Sequence, residues 1–194
     1  MPHEIVVIGT SSGGLKALQR VLVKLPEDFP LPVVIVHHRS KDSDAGLCDF
    51  LCRYSALPVS EPNDKDWILE GHVYLAPSDY HLLITEGHFA LSTDAPVAFA
   101  RPSIDLLFES TADEFGTRAI GVILTGTNSD GARGLAKIKS RGGITIVEDP
   151  QEAAFPEMPQ AAIESSEVDW IVTLDEVGPL LNRLTTSTVS QYAN

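Results

Sequence analysis

Five short runs of apolar, largely β-branched residues occur at 5–9, 33–36, 119–124, 144–147 and 170–173, and the segment after each carries helical periodicity or helical length. Few folds accept that rhythm. After the first run, Leu15, Leu18, Val21, Leu22 and Leu25 recur at the spacing of one helix face, and Pro26 and Pro30 close the segment. Helices are likewise expected over 44–54, 104–115, 131–140, 159–165 and 176–184, the second of these with Pro102 and Ser103 at its start. Runs such as Val33 to Val36 are continuous rather than alternating, as in strands buried on both faces. Strands alternating with helices imply parallel pairing through right-handed crossovers. The expected fold is therefore α/β: a doubly wound, mostly parallel, Rossmann-like sheet with helices on both faces. Between 59 and 91 the rhythm changes. Segments at 71–75, 81–85 and 89–91, joined by Ala-Pro-Ser-Asp and Glu-Gly-His, read as antiparallel hairpins at the edge of the sheet. No repeat or linker divides the chain, so residues 1–184 form one domain and 185–194 a polar, fraying tail.

Charge and cysteine content remove several function classes. Lys and Arg number 14 against 27 Asp and Glu, a net charge of −13, which argues against holding a phosphate backbone. No apolar run approaches the length of about 18 residues that spans a membrane. The opening Met-Pro-His-Glu lacks the basic region of a secretory signal. Cys48 and Cys52 are the two cysteines, four apart in an expected helix, where a bridge would staple nothing and the zinc spacings do not fit. A reduced, cytoplasmic compartment follows.

In an open parallel sheet, ligands bind beyond the carboxyl ends of the strands. Three such ends carry chemistry: Gly9-Thr10-Ser11-Ser12-Gly13-Gly14, His37-His38, and Thr125-Gly126-Thr127-Asn128-Ser129-Asp130-Gly131. Gly9, Ser11 and Gly13 make a Gly-x-Ser-x-Gly pattern between strand and helix, the setting of a nucleophile elbow, with the Ser12 amide placed to meet an oxyanion. Ser11 or Ser12 as a helix N-cap is the plain alternative. Phosphate binding fits less well, since Leu15 stands where a P-loop needs lysine, and His37-His38 replaces the acid of a dinucleotide site. Strand alternation lets only one of the two histidines face the first loop, and the strand pattern does not choose between them. Asp130 reads either as the N-cap of the helix after it or as the carboxylate that holds a histidine Nδ1–H, two compatible roles.

Taken together these blocks resemble the catalytic domain of the CheB family, the chemotaxis protein-glutamate methylesterases, over residues 4 to 182. The family's Ile-Gly-x-Ser-[ST]-Gly-Gly is similar to Ile8-Gly9-Thr10-Ser11-Ser12-Gly13-Gly14, and its Gly-x-x-Leu-Thr-Gly-Met-Gly-x-Asp-Gly to residues 121–131. Gly71-His72-Val73-Tyr74-Leu75-Ala76-Pro77 and Arg101-Pro102-Ser103-Ile104-Asp105 match as well. The resemblance implies Ser11 as nucleophile, His38 as general base and acid, Asp130 as its orienting carboxylate, and the amides of Ser12 and Thr127 as the oxyanion hole. It implies hydrolysis of γ-glutamyl methyl esters on the cytoplasmic helices of methylated chemoreceptors, with deamidation of receptor glutamines by the same steps and no metal or organic cofactor. An esterase acting on a different ester, or a silent binding module of the same fold, are the competing readings.

Two departures stand out: Thr127-Asn128 replaces the family's Met-Gly, and the chain starts at the catalytic domain, without the N-terminal receiver domain of typical members. Either the chain is cut from a longer one or it works without that domain, with a receiver-domain regulator acting in trans as one expectation. Asparagine at 128 is expected to suit a left-handed conformation if the loop needs one. An acidic protein acting on glutamate-rich helices is expected to carry a local positive rim, for which Arg39, Arg101 and Arg133, with Lys16, Arg20 and Lys41, are the candidates.

Overall fold

A computed structural model describes residues 2–38 and 46–186. Seven parallel strands form the main sheet: β1 (Ile5–Thr10), β2 (Val33–His37), β3 (Val59–Ser60), β4 (Val73–Leu75), β7 (Ala119–Ile123), β8 (Ile144–Glu148) and β9 (Trp170–Val172), in the order β3-β4-β2-β1-β7-β8-β9. The remaining two, β5 (His81–Thr85) and β6 (His88–Ser92), pair antiparallel as a separate hairpin. The helices are α1 (Gly14–Leu22), α2 (Gly46–Cys52), α3 (Ile104–Phe115), α4 (Ala132–Ser140), α5 (Glu157–Ser165) and α6 (Leu174–Thr186). Among the described residues no helix is long and apolar enough to cross a membrane.

Alternation along the central strands sorts their side chains into two cores. Val6, Ile8, Val33, Ile35, Ile120 and Val122 meet Leu18, Val21 and Leu22 of α1 and Val177, Leu180 and Leu181 of α6 on one face. Ile5, Val7, Val34, Val36, Ala119 and Ile123 meet Ile104, Leu107 and Phe108 of α3, Leu135 and Ile138 of α4, and the hairpin's Leu82 and Phe89 on the other. Every one of these side chains is buried, each apart from the small Ala119 stabilising the fold by about 1.5–3 kcal/mol relative to exposure. Both faces are thus covered, which is why the strands read as continuous apolar runs.

Residues 71–75 depart from expectation. They contribute β4, which joins the parallel sheet beside β2 with Val33 opposite Val73, rather than a hairpin. Val73, Tyr74 and Leu75 are all buried, so this short run has the two-sided burial of a parallel strand. The antiparallel element is confined to residues 81–92, packed on α3. The expected helix over 44–54 begins at Gly46 and ends at Cys52, and its first two positions, with the tail at 187–194, lie outside the described residues.

The strand order decides where a ligand can bind. From β1 the chain moves to β2, then to β3 at the edge and back to β4 between them, and later crosses to β7, β8 and β9 on the other side. The β1/β7 boundary is therefore the topological switch point, where the loops after adjacent strands diverge and leave a crevice. Backbone hydrogen bonds tie the strand ends together: Leu124 N–H donates to Gly9 O, Ser11 N–H to Thr125 O and His38 N–H to Thr10 O, each at 3.0 Å.

Candidate active site

Ser11 follows β1 directly. Gly13 then takes φ 79°, a left-handed turn that sends the chain into α1. The opposing loop can approach because residue 126 has no side chain: a Cβ at Gly126 would sit 3.0 Å from Ser11 Cβ and 2.7 Å from Met158 Cε. Thr125 fastens the two loops, its hydroxyl donating to Ser12 O at 3.0 Å and accepting the Phe155 N–H at 2.9 Å. Ser12 Oγ and Thr127 Oγ1 lie 3.2 Å apart. Among the described residues, neither the Ser12 nor the Thr127 amide N–H has a hydrogen-bond acceptor.

Of the two histidines it is His38 that meets Asp130, with Nε2 2.7 Å from Oδ2. The expectation from sequence was an Nδ1–H on the aspartate; here the ring is turned, and Nδ1 faces Asn128 Nδ2 at 3.2 Å. The pair is well shielded, the His38 side chain 12% exposed and that of Asp130 1%. His37 points elsewhere, its Cδ2 beside the start of α1 at Gly14.

Asp130 has a structural duty, though not to the helix that follows it. Its Oδ1 accepts from Ser103 Oγ at 2.9 Å and Asp105 N–H at 3.0 Å, and its Oδ2 accepts from Ile104 N–H at 2.7 Å and from His38. These are the first donors of α3, so Asp130 caps α3. Asp105 returns the contact: its Oδ1 accepts Gly131 N–H at 3.0 Å and Gly134 N–H at 2.7 Å, at the start of α4. Each carboxylate thus closes the other's helix. Burial by itself would raise the Asp130 pKa, but the hydrogen bonds from His38 and from the Asp105 and Ile104 amides outweigh it and hold the carboxyl below the ordinary range. Asp105 moves the other way, since burial and the neighbouring Asp130 charge exceed what the Gly134 amide and Arg133 give back.

Two cavities share Ser11 and His38 in their walls. One, of about 680 Å³, lies along α1 and is lined also by Lys16, Arg20, His37, Glu148 and Phe155. The other, of about 470 Å³, is lined by Asp79, Phe99, Arg101 and Asn128. At its lip Val97 and Ala100 exchange backbone hydrogen bonds around Ala98 (φ 47°) and Phe99 (φ 66°), a left-handed turn made without glycine that leaves Phe99 fully exposed.

Of the arginines expected at a positive rim, the three described ones, Arg20, Arg101 and Arg133, are engaged. Arg101 binds Asp79 and donates to the Thr93 and Asp94 carbonyls. Arg20 pairs with Asp175. Arg133 lines neither cavity and holds Glu109 at 2.7 Å, with Asp105 at 3.6 Å. Arg39 and Lys41 lie outside the described residues. Lys16, on the larger cavity, forms no ion pair with a described residue.

Ser103, Asp105, Asn128 and Glu148 were missed as site residues from sequence. Asp105 and Ser103 stood inside the matched Arg-Pro-Ser-Ile-Asp block, but their partners lie 25 residues or more away in the chain. The Oε2 of Glu148, the last residue of β8, accepts the Thr125 N–H at 2.7 Å. Burial pushes this carboxyl up, only partly offset by the Thr125 amide and Arg20. The folded state therefore keeps its proton to higher pH than the unfolded chain, and the charged form costs stability above that range. Glu148→Gln keeps an acceptor for Thr125 and removes the charge. Its unfolding midpoint is expected to exceed wild type at pH 8, with the gap closing as pH falls into the carboxylate range. A lower midpoint at pH 8 would show that the ionised carboxylate is needed under Thr125.

Among the described residues no group of three or more His, Cys, Asp or Glu side chains could hold a metal ion. Cys48 and Cys52 lie on α2, and neither is in a disulfide.

With this geometry in hand, comparison with known proteins is specific. The family model for CheB methylesterase matches residues 6–181. A putative protein-glutamate methylesterase/protein-glutamine glutaminase of Leptospira interrogans is 42% identical over 98% of this chain and 100% of its own length. Protein-glutamate methylesterase/protein-glutamine glutaminase 2 of Anaeromyxobacter dehalogenans is 43% identical over 94% of this chain, and FrzG of Myxococcus xanthus 39% identical over 93%. The chain spans about half the length of those two relatives, 53% and 54%. The crystal structure of the Thermotoga maritima CheB methylesterase catalytic domain superposes with a TM-score of 0.89 at 33% identity, covering 95% of this chain and all of that one. By family match, by sequence and by fold, this chain belongs to the CheB methylesterase family.

Proposed function

We propose that the chain is a serine esterase that hydrolyses γ-glutamyl methyl esters on the cytoplasmic helices of chemoreceptors, releasing methanol. The observation that carries this reading is the buried His38–Asp130 pair at the switch-point crevice, opening into the same two cavities as Ser11. The names of the relatives point to the same substrate.

In the proposed reaction Ser11 Oγ attacks the ester carbonyl and His38 accepts its proton at Nδ1, the nitrogen not bound to Asp130. Asp130, ionised and fixed by the α3 amides, holds Nε2–H and stabilises the imidazolium. The amides of Ser12 and Thr127 receive the oxyanion. Methanol leaves with the proton from His38, and water, deprotonated by the same nitrogen, attacks the acyl-enzyme to release glutamate. A glutamine side chain follows the same course with ammonia as leaving group. A receiver-domain protein acting in trans, and a cytoplasmic location where receptor helices are reached, belong to the same proposal.

The test is methanol release from a methylated chemoreceptor cytoplasmic fragment, beside hydrolysis of a small generic ester. Release from the receptor fragment is expected. Hydrolysis of the small ester alone would move the substrate elsewhere, and neither activity from folded protein would favour a silent binding module.

A further inference from the structure

We propose that Asn128 is a positioning residue that latches the catalytic base: its side-chain amide occupies the His38 lone pair that Ser11 must reach, and turnover begins only when that amide swings away. The inference rests on His38 being the base.

Each hydrogen bond fixes the direction of the next. Asp130 is held ionised and can only accept, so the hydrogen shared at 2.7 Å belongs to His38 Nε2. A neutral ring then carries its lone pair on Nδ1. Asn128 Oδ1 accepts the Asp130 N–H at 3.1 Å, which leaves the NH₂ end of that amide facing Nδ1 at 3.2 Å. The lone pair is therefore taken. Among the described residues no hydrogen bond joins Ser11 Oγ to His38, although both line the same two cavities.

The latch does not select the tautomer, because Asp130 already does. What Asn128 adds is competition for Nδ1. It is built to leave: residues 127–129 are exposed, and Asn128 is absent from the residues with positive φ, so the loop needs neither glycine nor asparagine for its backbone. The loop does not call on the left-handed conformation that asparagine would tolerate here.

Two variants test this, Asn128→Ala and Asn128→Gly, read in two ways. In protein carrying ¹⁵N-labelled histidine, the wild-type His38 resonances should show Nε2 protonated and Nδ1 as a hydrogen-bonded acceptor. In both variants Nδ1 should shift toward the higher frequency of an unoccupied ring nitrogen. The second reading is the rate at which phenylmethylsulfonyl fluoride labels Ser11, a reaction that uses the base but not the proposed substrate. It should rise about two- to tenfold, the range expected for losing one competing neutral hydrogen bond. An unmoved Nδ1 resonance overturns the proposal. So does a moved resonance with a slower, unchanged or undetectable labelling rate, which would make Asn128 a support for Ser11 rather than its competitor. Failure of receptor demethylation alongside faster labelling would refute the substrate reading and leave the latch standing.

Discussion

Replacing Ser11 with alanine is expected to lower methanol release from a methylated glutamyl substrate by about 10⁶ in kcat, the loss seen when a serine hydrolase loses its nucleophile. The fold should be indifferent to the change. Ser11's structural contacts are made by its backbone, whose N–H donates to Thr125 O and whose carbonyl accepts Gly14 N–H, and its Cβ, which alanine retains, packs against Gly126. Ser12→Ala is the necessary comparison, since two hydroxyls stand side by side in this turn. Ser12 Oγ is spent on Thr127 Oγ1, and the role assigned to Ser12 belongs to its amide, which alanine also supplies. Its turnover is expected to stay within about tenfold of wild type. Methanol release with thermal unfolding checks both variants. An active Ser11→Ala beside a dead Ser12→Ala would transfer the nucleophile to Ser12.

The contrast between these two serines shows what sequence can and cannot reveal in this fold. The central strands were legible because burial on both faces forces unbroken apolar runs, and α3 was placed at 104–115 because Ile104, Leu107, Phe108 and Thr111 all turn inward. β4 was misread because three buried residues have no period of their own; only its pairing with β2 and β3 makes it parallel. The candidate site was legible as loops at strand ends, since strand order follows from βαβ logic and that order brings the loops holding 11, 38 and 130 to one crevice. Ring orientation was not. Whether Nδ1 or Nε2 meets the carboxylate depends on where α3 lodges Asp130, a packing result spread over residues 103–105 and 130. The exchange of caps between α3 and α4 was hidden for the same reason. A carboxylate just ahead of a helix normally caps that helix, and nothing local to Asp130 says that it serves the one before.

That exchange makes Asp130→Asn the most informative substitution after Ser11. The carboxylate accepts two hydrogen bonds at each oxygen: Ser103 Oγ and Asp105 N–H at Oδ1, His38 Nε2 and Ile104 N–H at Oδ2. An asparagine keeps one accepting oxygen and must turn its NH₂ group toward one of these pairs of donors. Facing Ser103 and Asp105 it would abut a backbone N–H; facing His38 and Ile104 it leaves the Ile104 N–H unpaired and requires Nε2 to become the acceptor. In the second arrangement the hydrogen moves to Nδ1, and the base nitrogen is lost. The Ser103 hydroxyl can rotate to accept but the Asp105 N–H cannot, so each orientation strands one buried donor, at a cost of about 1–3 kcal/mol. Both orientations remove the charge that stabilises the imidazolium and the second also removes the base nitrogen, so kcat is expected to fall, by about 10⁴ as in other triads forced into the wrong tautomer. Stability should follow pH in a definite direction. Because the folded Asp130 carboxyl lies below its ordinary range, its contribution is complete above that range and is lost as pH falls through the folded value. The gap in unfolding midpoint between wild type and Asp130→Asn should therefore be widest near neutral pH and shrink in acid. Near-normal kcat would remove Asp130 from the mechanism. A gap that widened in acid would mean that the carboxylate is not the ionised acceptor on which both the α3 cap and the His38 tautomer depend.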